Sequence, residues 1–318
     1  MSNNSLAVPS KGNPNSAKQT ADVVLKVFEI AIVPVIVCGN ILIISAVCRF
    51  KNLRSASNVM IASLAVGDLM MGGIYMPTKL AIMFNTHIYA ERIPCLTNIF
   101  LSYFSVITAM FFLSMLSIER FYAVQFPFHY HSAMTLNRSV VLSVVVFSLS
   151  FTITLPIIFG IDLWAPGKFC FNTNILPGYY VWSMVSVVFV VQFAGFLCFL
   201  RVLAAEISIR MRNVNVEQSE SRRQDSVKST LILTVYVFSI LCWIPQLVYL
   251  FISVFSPRST NLFGLRAVSL LGVCSSAVNC FVYGIKNSKF RNAFRKMFGC
   301  RPGRVDPSTE LNTQEEVF

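Results

Sequence analysis

"CLTNIFLSYFSVITAMFFLSMLSIERF", residues 95–121, runs from Cys95 to Ile118 without a charged side chain and ends on the adjacent pair Glu119-Arg120. As an α-helix, the 25 residues from Cys95 to Arg120 rise about 37 Å, enough to cross a bilayer core of roughly 30 Å. Six other blocks are as long and as apolar: roughly 23–49, 57–83, 137–161, 178–204, 229–255 and 263–284. Most of them lack the strict alternation of barrel strands, and a backbone in lipid must satisfy itself as helix or closed barrel. The chain has 318 residues, 55% hydrophobic and 13% charged, where a soluble domain carries about a quarter charged residues. The expected fold is an all-α membrane protein, a seven-transmembrane helix bundle.

Charge in the linkers orients the bundle. Arg49, Lys51 and Arg54 follow span one; Arg210, Arg212, Arg222, Arg223 and Lys228 follow span five; seven Lys or Arg residues from Lys286 to Arg304 follow span seven. The alternate linkers hold little more than Arg92, Lys168 and Arg258. Basic loops stay in the cytoplasm, so the N-terminus is expected outside and the C-terminus inside. The formal net charge of +12 is mostly this bias and attraction to anionic lipid, not a nucleic-acid footprint. The expected organisation is an extracellular tail over 1–22, the bundle over 23–285, an amphipathic helix over 286–300 and a cytoplasmic tail over 301–318. No signal peptide is evident, so span one acts as an uncleaved anchor. Asn3-Asn4-Ser5 is an outer-side glycosylation sequon, whereas Asn137-Arg138-Ser139 falls on the inner side. Most of the nine cysteines lie inside spans as small apolar residues. Cys95 and Cys170 fall on the oxidising side, where a disulfide is expected.

Polar residues inside the spans are costly and mark function or packing. Asn40, Asp68 and Asn279 lie near the middle of spans one, two and seven, and at a common depth they should face one another. Such a node can be a packing device or a cation and proton site. Pro77, Pro156 and Pro245 lie inside spans two, four and six, where each should bend its helix. Trp243 stands two residues before Pro245 and puts a large side chain at that bend. Arg120 lies at the inner end of span three, and Asp225, 20 residues before Pro245, lies at the inner end of span six. Arg120 is placed to pair with Glu119, Asp225 or both; the bland alternative is two charges snorkelling at a helix end.

In this order these residues resemble the rhodopsin-like (class A) G-protein-coupled receptors over nearly the whole chain. The resemblance is carried by Gly39-Asn40, by "NVMIASLAVGD" ending at Asp68, and by Cys95. It continues through Glu119-Arg120-Phe121 with Pro127, Cys170, Cys242-Trp243-Ile244-Pro245, and Asn279 to Tyr283. "KNSKFRNAFRKMFGC" resembles their amphipathic eighth helix, with Phe290, Phe294 and Phe298 on one face and Cys300 placed for palmitoylation. The resemblance implies an outward swing of span six about Trp243 and Pro245, with Asn279 and Tyr283 in the switch. That swing opens a cavity for a Gα subunit of a heterotrimeric G protein, where Arg120 makes contact, while Glu119 and Asp225 hold the resting state. It also implies an allosteric sodium ion at Asp68 and Asn279, with Ser275 and Ser276 contributing because Ala109 replaces a serine. Other departures are Cys280 for a proline in span seven, Val191 for the proline of span five and Phe199 for a tyrosine there. The subfamily is not carried: likeness to the melanocortin, cannabinoid and adenosine neighbourhood is faint.

The ligand pocket is expected to be lined by Ser102, Tyr103, Val106, Ser183, Gln246, Leu250 and Ser269 above Trp243, an apolar wall with few polar groups. Glu29 and Asp162 are the acids near it, and Glu29 is expected to be neutralised by Lys26, one helical turn back. A small neutral or lipid-like ligand is favoured over a peptide. Ser308, Thr309 and Thr313 in the tail are candidate sites for kinases that recruit arrestin, and the terminal Glu-Glu-Val-Phe is a candidate PDZ ligand. A transporter or channel is the alternative, but it predicts internal repeats or several pore-facing charges, which this sequence lacks. Enzymatic motifs such as His-Glu-x-x-His or Gly-x-Ser-x-Gly are absent from the sequence, and no catalytic residue is expected.

Overall fold

The computed structural model of the protein describes residues 14–85, 91–166, 170, 175–212, 220–255 and 262–299. These residues form helices and no strand, and seven of the helices are long and apolar enough to cross a membrane. They are α1 (Pro14–Arg49), α2 (Ala56–Phe84), α3 (Arg92–Gln125), α4 (Leu136–Thr154), α5 (Gly178–Arg212), α6 (Glu220–Phe255) and α7 (Leu262–Lys286). A shorter α8, Ser288–Met297, follows. The fold is the seven-helix bundle that the apolar blocks predict.

Short polar side chains start α2, α4 and α8. The Ser55 hydroxyl accepts from the Asn58 amide at 3.4 Å, Thr135 accepts likewise from Arg138, and Asn287 accepts from Lys289 at 3.0 Å and from Phe290. Each satisfies an amide that the first turn leaves without a helical partner. The prolines behave individually. Pro245 lies inside α6 as expected. In α2, a π turn over Met71–Tyr75 precedes Pro77. The ring of Pro77 crowds the carbonyl of Gly73, four residues back, and the wider turn relieves that clash. Pro156 also lies inside its span, Leu136–Ile157, as expected, in the 3-10 turn over Leu155–Ile157 that closes it after Thr154.

Burial ranks the helices. In the most apolar window of α3, 72% of the residues are buried, against 17% for α5, so α3 is the central pillar and α5 turns most of its apolar surface outward. α3 packs most heavily on α5 and α6 on α7, while α5 and α6 touch sparingly. α8 docks through Phe290, which is fully buried and lies 5.6 Å from the Tyr283 ring. Phe298, expected on the same face, is exposed.

Candidate functional site

The end of α3 that carries Glu119-Arg120 holds a buried polar cluster. Both residues are 3% exposed, which rules out charges reaching for water. Arg120 donates through Nε to Glu119 Oε2 at 2.6 Å and through Nη2 to Glu119 Oε1. The same Nη2 reaches Ser57 Oγ at 2.6 Å and Tyr130 Oη at 3.0 Å. Ser57, on α2, and Tyr130, on the short linker helix Pro127–Ala133, both donate to Glu119 Oε1. Burial, with the Glu119 carboxylate beside it, pushes the Tyr130 phenol up to about 12, so it remains a donor. Three elements thus converge on one ion pair. Ser57 and Tyr130 have no spacing that marks them in the sequence; only the crossing of α2 and α3 brings them in. Asp225, the second partner expected for Arg120, has its side chain outside the described residues.

Halfway along the bundle, Asn279 Nδ2 donates to Asp68 Oδ2 at 2.6 Å. Asn40 Nδ2 donates to the Ser276 carbonyl at 3.2 Å and to the Ile36 carbonyl at 2.9 Å. Asp68 and Asn279 therefore meet directly, and Asn40 reaches the same helix, α7, through the Ser276 carbonyl. Ser276 lies beside the Asp68 carboxylate, whereas the Ser275 hydroxyl is used on its own helix, donating to the Gly272 carbonyl at 2.7 Å. Around them Asn40 Oδ1, Asn279 Oδ1, Ser105 Oγ, Thr108 Oγ1 and Tyr283 Oη are buried with no hydrogen-bond partner among the described residues. An oxygen-only set around a carboxylate suits a hard cation. Sequence alone gives Ser105 and Thr108 no role beyond packing.

Trp243 is buried against Gly272, where a Cβ would lie 2.8 Å from its ring. It packs with Met110, Val273, Ala277 and Val106. Beside it, α3, α5 and α6 are tied by polar contacts. Ser114 Oγ donates to Gln192 Oε1, Gln192 Nε2 reaches Met110 Sδ at 3.1 Å, and Tyr236 Oη donates to the Gln192 carbonyl at 3.0 Å. Phe199 stacks on Tyr236 at 5.3 Å. Tyr236 is fully buried, and its hydroxyl is one of few links between α5 and α6. Tyr236→Phe should keep the stack, lose about 1 kcal/mol and lower the thermal midpoint by about 3 °C. An unchanged midpoint would show that the hydroxyl does not hold α6.

At the opposite end, Cys95 and Cys170 form the expected disulfide, with Cα atoms 5.8 Å apart. Arg92 adds a two-pronged contact to Asp162, at 2.6 and 3.3 Å, and that hydrogen bonding holds the Asp162 carboxyl below its usual range. Together they pin the linker after α4 across the end of α3. The expected pocket residues Ser102, Tyr103, Val106, Gln246, Leu250 and Ser269 are half-buried at this end. Ser183 is exposed and donates to the Tyr180 carbonyl at 2.8 Å. A groove of about 470 Å³ lies elsewhere, on the side of α3 and α4, lined by Phe104, Phe147, Ser148, Phe151 and Thr152. Glu29 is a correction. It is fully buried and pairs with Lys79 at 2.9 Å and Arg266 at 3.3 Å, whereas Lys26 pairs with Asp22 at 3.0 Å. The i,i+4 partner and two neighbouring helices win over the i,i+3 pair. Asn3, Cys300 and the tail from 301 lie outside the described residues.

Comparison with known proteins agrees with this geometry. The family described as "7 transmembrane receptor (rhodopsin family)" matches residues 39–283. The melatonin receptor type 1B-B of Danio rerio is 28% identical over 267 residues, covering 81% of this chain and 76% of its own length. The melatonin receptor type 1A of Ovis aries is 26% identical over 271 residues, covering 82% and 73%. The match spans all seven helices and both ends of the bundle, which removes the transporter, channel and enzyme alternatives. The chain belongs to the rhodopsin family of seven-transmembrane, G-protein-coupled receptors.

Proposed function

We propose that this receptor answers a small, largely apolar ligand at the disulfide end and passes the signal to a heterotrimeric G protein at the Glu119-Arg120 end. The observation that carries this proposal is the buried cluster of Ser57, Glu119, Arg120 and Tyr130. An arginine held by a carboxylate and two hydroxyls is in a resting arrangement, and it becomes available to a partner only when those contacts open. α6 carries Pro245 and is weakly tied to α5, so it is the element suited to swing, with Trp243, Asn279 and Tyr283 following. Ligand and G protein then bias one two-state element from opposite ends. The N-terminus and the disulfide are extracellular in this reading, with Asn3 glycosylated, Cys300 palmitoylated and α8 lying on the inner leaflet of the plasma membrane. A sodium ion is assigned to Asp68 and Asn279, with the unpaired oxygens of Ser105 and Thr108 close by. The phosphorylated tail is the site for arrestin. Both relatives are named for melatonin, a small molecule, which supports the small-ligand class and not melatonin itself.

The test is nucleotide exchange on Gα with membranes holding this chain. Glu119→Gln keeps the shape and removes the charge that holds Arg120, so basal exchange should rise at least about fivefold. Asp225→Ala should raise it too if the second pairing exists. Wild-type exchange levels in both variants, across the main Gα classes, would remove the resting lock.

A further inference from the structure

Five charged side chains meet where α1, α2 and α7 end beside the disulfide. Lys79 Nζ lies 2.9 Å from Glu29 Oε1, Arg266 Nη2 lies 3.3 Å from Glu29 Oε2, and Arg266 Nη1 pairs with Asp22, which also holds Lys26 at 3.0 Å. Three cations thus face two carboxylates among the described residues. The inner three are the deeply placed ones: Glu29 is 0%, Lys79 12% and Arg266 13% exposed. By themselves they carry one positive charge in excess. The compensating carboxylate is that of Asp22, 37% exposed and shared with a half-exposed Lys26. A buried charge needs a close, well-hydrogen-bonded partner, and here the partner stands at the water's edge, where exposed ion pairs contribute little.

The guanidinium is also incompletely used. Arg266 Nε is buried with no acceptor among the described residues, and Nη2 beside it has only the 3.3 Å contact to Glu29 and a 3.8 Å approach to Met83 Sδ. That edge is the one a carboxylate takes two-pronged. Independently, the buried side-chain atoms without partners in this half of the bundle are mostly donors. Among the described residues Asn98 Nδ2, Trp164 Nε1, Trp243 Nε1 and Arg266 Nε lack acceptors, against one unanswered carbonyl, that of Gln246. A ligand that answers this half brings acceptors. Apolar surface lies below the charges: Tyr75 and Met76, one turn from Lys79, belong to the cluster around Trp243. Arg266 and Gly272, which the Trp243 ring covers, are six residues apart on α7, about 9 Å along the axis.

We infer that the disulfide end of the crevice is an acid-accepting subsite. The ligand is a small monocarboxylic acid whose carboxylate takes the free Nε edge of Arg266, beside Lys79, and displaces Asp22 as the compensating charge, and whose apolar body of about 9 Å reaches the Trp243 floor. This rests on the ligand crevice proposed above and replaces the neutral head group that the sequence favours. Lys79 and Arg266 sit inside apolar spans, and only the fold turns them onto one carboxylate.

The probe is 3-phenylpropanoate, with its amide and alcohol as neutral controls, added to the full receptor in lipid nanodiscs. Asp22→Asn vacates the outer side of Arg266 without unpairing Glu29. In that variant the acid should raise the thermal midpoint by about 3 °C near saturation, and the amide and alcohol should not. Wild type should shift less, because Asp22 competes. Arg266→Gln, which leaves Glu29 its lysine, should erase the preference for the acid. Equal shifts by acid and amide in Asp22→Asn, no shift by any of the three, or an acid shift that survives in Arg266→Gln each overturn the subsite. Should Arg266→Gln not fold, the comparison of Asp22→Asn with wild type decides alone: an acid preference no larger than in wild type overturns it. No G protein takes part, so failure here leaves the exchange experiments as an independent test of coupling.

Discussion

Arg120→Ala should silence the receptor and destabilise it at once. In the Glu119→Gln background, where basal exchange is expected to be raised, adding Arg120→Ala should return Gα exchange to the level of membranes without receptor. As a single change it removes the only cation among the described residues that contacts the buried Glu119 carboxylate and leaves two hydroxyl donors, Ser57 and Tyr130. Stranding one partner of a buried pair costs about 3–5 kcal/mol. The double variant should recover about 2 kcal/mol of that, because the amide that replaces the Glu119 carboxylate has no charge to strand. A thermal-unfolding cycle on wild type, both single variants and the double measures this directly. Additive losses would mean that the pair is not coupled. Exchange that persists without Arg120 would remove it from the coupling role.

The seven spans and the meeting of Asp68 and Asn279 were legible because both follow from what lipid forbids. Apolar length dictates the spans, and a polar group in the middle of one must find another at its own depth. The Cys95–Cys170 bridge was legible because the linker charges put both cysteines on the oxidising side. What the sequence does not show is which side chains meet where helices cross. Ser57 is a small hydroxyl in an apolar block, equally suited to packing, and Tyr130 lies ten residues past Arg120 in a linker. Glu29 has a cation one turn away in sequence, yet its partners come from α2 and α7. Local helical pairs stabilise by only about 0.2–0.5 kcal/mol, and a buried carboxylate with two cations outweighs that. A proline marks a break without saying of what kind: Pro77 widens a turn, Pro156 tightens the last turn of its span, and Pro245 stays inside an unbroken helix.

Gly195→Ala should destabilise the bundle although it adds a better helix former. The Cβ would stand 2.9 Å from the Cα, the Cβ and the hydroxyl of Ser114. A backbone atom cannot rotate away, so α3 and α5 must separate by several tenths of an ångström along one of the two most heavily packed helix pairs. Overpacking of this kind costs about 1–3 kcal/mol, against about 1 kcal/mol gained from helix propensity, which leaves a net loss of up to about 2 kcal/mol. Gly73→Ala is the control: its Cβ meets only Val37 at 3.8 Å, an ordinary contact, and its midpoint should hold or rise. The displacement also reaches the switch, because Gln192, one turn before Gly195, carries the contacts to Ser114, Met110 and Tyr236. Moving it loosens the α5 anchor of α6, so basal exchange should rise while the thermal midpoint falls. A fall without any change in exchange would confine Gly195 to packing. A midpoint matching that of Gly73→Ala would mean that α3 and α5 yield at no cost and that Gln192 is no rigid anchor.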